Sequence, residues 1–133
     1  MARSKRRIIK NVNMIIKKIK IPIYEQTLYV SITEDYSKDG EEYDYKWRPE
    51  REDFSGYTSG LEKQYLIILN KKYLKNELHI VSTISHEAFH VTNMLFKRIG
   101  AVPDINNDEH RAYLLSWIVE QVYKIYKNYE KRT

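Results

Sequence analysis

Residues 76–100 read NELHIVSTISHEAFHVTNMLFKRIG, and a single long helix accounts for the whole stretch. Asn76 suits an N-cap, Glu77 places a negative charge in the first turn, and Gly100 stands just past the end. Ile84, Ala88, Val91 and Leu95 recur at four, three and four residues and form an apolar stripe. Such a helix has a core side and a separate polar side. The polar side holds His86 and His90 of His86-Glu87-Ala88-Phe89-His90, the pattern HExxH. Two residues four apart on a helix differ by about 40° and about 6 Å, so both imidazoles can point at one metal ion about 2.0–2.1 Å away. Glu87 sits on the flank of that face, where its carboxylate can reach a water in the metal's open position without becoming a ligand. With this chain's His and Glu content, an HExxH would arise by chance in roughly one sequence in a hundred.

Two imidazoles seldom hold zinc tightly, so a third protein ligand is expected from outside this helix. His79 is seven residues from His86, about 10 Å along the axis and outside the coordination sphere. Downstream, residues 103–107 form a connector, and Asn107 or Asp108 can cap a last helix running to about Tyr129. Its start carries Asp108-Glu109-His110, and one of these three is expected to complete the site. The body of that helix is apolar on one side, with Leu114, Leu115, Trp117, Ile118, Val119, Val122 and Ile125.

An HExxH helix followed by a helix bearing Glu in an ExxA setting, here Asn107-Asp108-Glu109-His110-Arg111-Ala112-Tyr113, resembles the gluzincins, the zincin metallopeptidases that include thermolysin. The pattern is also similar to small single-domain zincin-like proteins of tailed phages and mobile elements. The resemblance covers about residues 76–120. It implies Glu109 as third zinc ligand, and Ala112 as the small residue that lets the helices approach. It also implies an antiparallel edge strand over the active-site helix that pairs with extended substrate, and residues 58–69 are assigned to that wall. Tyr113, one turn after Glu109, is placed to stabilise an oxyanion. The metzincin extension is absent, since Asn93 and Phe96 stand where its Gly and third His would be. Tyr113 also replaces the acidic residue usual after the ExxA alanine.

Upstream, Ile8, Ile9, Val12, Ile15, Ile16 and Ile19 recur at helical spacing among Lys and Arg, which predicts a basic amphipathic helix or arm over residues 7–20. Pro22 ends it. Residues 24–32 alternate, with Leu28, Val30 and Ile32 on one face, and predict a half-buried strand. Residues 33–60 are polar and tyrosine-rich with turn signals at Asp39-Gly40, Pro49, Ser55-Gly56 and Ser59-Gly60; they suggest a hairpin across Asp39-Gly40 with residues 42–47 returning. Tyr65-Leu66-Ile67-Ile68-Leu69 reads as a buried strand. The order is helix, two or three strands, helix, helix: an α+β domain spanning 1–133, its small and mostly antiparallel sheet packed on the HExxH helix and the C-terminal helix.

The 133 residues contain no cysteine, which excludes disulfides and thiolate metal sites. The net charge of +5 resides at the front: residues 1–20 hold eight Lys or Arg and no acid, and the remainder is mildly acidic. The basic segment suits an anionic surface or nucleic acid as readily as it suits docking on the domain. Lysines interrupt every candidate signal core, and no run reaches membrane-spanning length, so a cytoplasmic protein is expected, or a virion component if phage-encoded. The chemistry expected is peptide hydrolysis with Zn2+ held by His86, His90 and Glu109, Glu87 as base and Tyr113 assisting. The alternatives are a zincin-like structural or binding protein with a vestigial site, and a nucleic-acid-binding protein acting through residues 1–20.

Overall fold

The computed structural model describes Ile8 and residues 16–132. It is an α+β protein built on one mixed four-stranded sheet in the order β1-β2-β4-β3. The strands are β1 (Ile16–Ile21), β2 (Gln26–Thr33), β3 (Gly56–Leu61) and β4 (Gln64–Asn70). One helical turn, α1 (Tyr36–Asp39), follows β2, and two long helices, α2 (Glu77–Arg98) and α3 (Glu109–Arg132), complete the chain. Two of the three pairings are antiparallel; β2 and β4 run parallel, with Leu28 opposite Tyr65 and Ile32 opposite Leu69.

A parallel pair needs a crossover, and residues 34–55 supply it by passing over one face of the sheet. That face buries Tyr29, Leu66 and Ile68 beneath Tyr36, Tyr43 and Trp47, together with Ile8 and Ile16. Tyr43 donates or accepts a 2.8 Å hydrogen bond with Ser31, so its hydroxyl is satisfied inside the layer. The opposite face packs Leu28, Val30, Ile32, Tyr65, Ile67 and Leu69 against the stripes of α2 and α3. Covered on both sides, β2 is buried almost throughout and not half-buried as its alternation suggested.

Three readings are corrected here. Residues 16–21 form an antiparallel strand against β2, not the end of a helix; the rest of the predicted 7–20 helix lies outside the described residues apart from buried Ile8. Within IKKIKI, Ile19 and Ile21 alternate as a strand requires while Ile16 serves the other face of the sheet, and β-branched side chains beside a bare strand edge favour pairing. The hairpin at Asp39-Gly40 is replaced by helical turns, at Tyr36–Asp39, Gly40–Glu42 and Tyr45–Trp47. Asp35 accepts from the Ser37 amide and starts the first of them, and Gly40 adopts a right-handed φ of −55°, which a type I′ turn forbids. Ala112 is exposed, so it does not space the two helices.

Helix α2 begins as expected, with the Asn76 side chain accepting from the His79 amide at 2.8 Å. It ends at Arg98, and Gly100 just past the cap has a left-handed φ of +79°. Ile84, Ala88, Val91 and Leu95 are fully buried. Helix α3 returns antiparallel: Lys127 and Tyr123 bond Glu77 at the start of α2, while His110 and Arg111 lie against Phe96 near its end. Among the described residues no helix is long and apolar enough to cross a membrane.

Candidate metal centre

The middle of α2 brings His86, Glu87 and His90 together. The two Nε2 atoms converge to 3.2 Å, with the rings nearly perpendicular at 79°. Lone pairs facing one another at that distance repel unless a proton or a cation lies between them. Two nitrogens bound tetrahedrally to one zinc at about 2.0–2.1 Å stand about 3.3–3.4 Å apart, so the pair fits a shared ion with almost no adjustment. The His86 side chain is 67% exposed, so the outer side of the pair is open to solvent.

Glu87 is the opposite case. Its side chain is only 7% exposed, and Oε2 lies 3.9 Å from His86 Nε2. Thr58 of β3 donates its hydroxyl to Oε1 at 2.7 Å, with the Glu87 carbonyl 3.3 Å away. No lysine or arginine pairs with Glu87 among the described residues. A carboxylate is costly to bury, and this one is held by the Thr58 hydroxyl beside the His86 imidazole.

The edge strand β3 reaches this close because it lacks side chains at two points. A Cβ on Gly56 would fall 2.7 Å from Thr83 Cγ2 and 2.8 Å from Glu87 Cγ; one on Gly60 would fall 2.9 Å from Met94 Sδ. Ser55-Gly56 and Ser59-Gly60, read as turn signals, are therefore clearance positions in a strand. Thr58 carried no signal of its own. The glycines did, because an isolated glycine in a strand marks close approach by a neighbouring element.

An open groove of about 410 Å³ runs beside the site along the first half of α2, walled by residues 53–56 and by His79, Ser82, Thr83, His86 and Glu87. A larger hollow of about 900 Å³ lies among the crossover turns, lined by Tyr36, Lys38, Glu41, Arg48 and Glu52, and none of the three α2 residues borders it. The smaller groove is the one that adjoins the chemistry.

Glu109, His110 and Tyr113 are not gathered with the pair. Glu109 opens α3 and is exposed, Tyr113 is 70% exposed, and His110 rests edge-on against Phe96, with 5.1 Å between ring centres. Asp108 is likewise exposed. Phe96 lies about 9 Å further along α2 than His90 and about 120° around it, so the first turn of α3 starts to one side of the histidines. Among the described residues no group of three His, Asp or Glu side chains stands ready to hold a metal. Compared with known proteins, the chain matches no family model, no curated protein and no solved structure.

Proposed function

We propose that the chain is a zinc metallopeptidase of the gluzincin type that hydrolyses peptide bonds. The observation that carries the reading is the 3.2 Å convergence of His86 and His90 Nε2 beside a buried carboxylate. His86 and His90 would hold the ion, and Glu109, proposed as the third ligand, would have to swing in from the exposed first turn of α3. Zinc bound there would supply Lewis acidity, polarising a scissile carbonyl and making water easier to deprotonate.

The remaining steps belong to the protein. Glu87, shielded from solvent and bonded through Oε1, has Oε2 free on the side of the imidazoles. It takes a proton from the attacking water and delivers it to the leaving amine. The edge of β3, unpaired among the described residues, offers backbone donors and acceptors to an extended peptide, which would lie over the groove between β3 and α2.

The deciding experiment is metal analysis together with peptide hydrolysis on the full chain and on Glu87→Gln. About one zinc per chain in both, with hydrolysis in the first alone, is expected. A wild-type chain that takes up no zinc overturns the reading. Zinc without hydrolysis favours the rival, a structural or binding protein.

A further inference from the structure

We infer that Thr58 is the positioning residue for Glu87, and that β3 thereby links docking of an extended substrate to orientation of the base. The inference rests on the metallopeptidase reading. Glutamate has three side-chain torsions, and a base free to sample them would spend little time aimed at the reacting water. Here the Thr58 hydroxyl occupies Oε1 at 2.7 Å, which leaves Oε2, 3.9 Å from His86 Nε2, as the oxygen available for a proton. Threonine suits the task because its branched Cβ restricts χ1.

The row of β3 that faces α2 reads Gly56, Thr58, Gly60, since alternate residues share a face. Both glycines are places where a methyl group would strike α2 or its neighbours. The strand is thus pressed onto the helix at either side of one hydroxyl, and that hydroxyl is the side-chain group reaching Glu87. Among the described residues β3 pairs with β4 on one side only, so its other edge is where a peptide strand would add. A strand paired on both sides is stiffer than an edge, and stiffening β3 fixes Thr58 and through it the carboxylate.

The test compares Thr58→Val, which keeps the shape and removes the hydroxyl, with Thr58→Ser, which keeps the hydroxyl, both in the full zinc-loaded chain. With a quenched fluorescent peptide as probe, Thr58→Val should retain one zinc, keep KM within about twofold and lose about tenfold or more in kcat, while Thr58→Ser recovers most of it. A second readout uses metal-free protein: Thr58→Val should lower the melting midpoint by a few degrees, and by almost nothing in a Glu87→Met background. Unchanged kcat in Thr58→Val, or equal midpoint losses in both backgrounds, overturns the inference. Should wild type bind no zinc and cleave nothing, the enzyme reading fails, and the coupling to catalysis fails with it. The metal-free cycle then still decides the Thr58 tether, with additivity refuting it.

Discussion

The middle turn of α2 and the first turn of α3 hold the residues with the most chemical promise, and they are built in opposite ways. In α2 two imidazoles converge and a carboxylate is buried and bonded. In α3 Glu109 and Tyr113 face solvent, and His110 leans on a phenylalanine. The difference shows what spacing can and cannot do. Four residues on one helix dictate a geometry by themselves. Eighteen residues between His90 and Glu109 leave the outcome to a connector and to the packing of a second helix.

The largest effect should come from His86→Ala, which removes half of the converging pair. Zinc per chain should drop from about one to near zero, and affinity by well over about a hundredfold, more than loss of a supporting outer group would cost. Dialysis followed by metal analysis measures it, and retained zinc would erase the contrast between the two turns. Next is Glu87→Gln, expected to keep the metal and slow hydrolysis by about 10²–10⁴.

Glu109→Ala sharpens the comparison from the other side. If α3 supplies a ligand, competition with a chromophoric chelator should show zinc affinity lowered by at least about tenfold, with His110→Ala nearly neutral. Equal affinity in Glu109→Ala would place all the metal chemistry in α2. Gly56→Ala should destabilise the chain by about 1–3 kcal/mol in denaturant unfolding, because the new methyl meets Thr83 and Glu87.

The smallest expected effect concerns the far end of the helix pair. Hydrogen bonds from Lys127 and Tyr123 hold the exposed Glu77 carboxyl below its ordinary value. A depressed value stabilises the fold above the unfolded pKa, and the contribution is lost as pH falls through the folded one. Lys127→Met should therefore lower the melting midpoint slightly at neutral pH, with the difference fading below about pH 4. A difference that persists in acid would point to lost packing instead.

Much of this was legible in the sequence where one element decided it. The caps and stripe of α2, the β4 core run and the α+β class all follow from short-range periodicity. β1 was misread because Ile16 and Ile19 keep helical spacing while Ile19 and Ile21 alternate, and only the exposed edge of β2 chooses between the two periods. The crossover was misread because Asp39-Gly40 has hairpin chemistry, whereas Asp35 caps a helical turn just before it. At the site, Thr58 was invisible because it lies twenty-nine residues from Glu87 and meets it only through the sheet.

The antiparallel pairing of β3 with β4 also orders events in time. Residues 76–100 can bring His86 and His90 together as soon as one helix winds, on the microsecond scale of helix formation. Thr58 arrives only after β3 and β4 have formed their hairpin and α2 has docked against it, a contact across twenty-nine residues that costs loop entropy and comes more slowly. A nascent chain would thus own its pair of imidazoles before it owned a well-aimed base, and its competence would mature last.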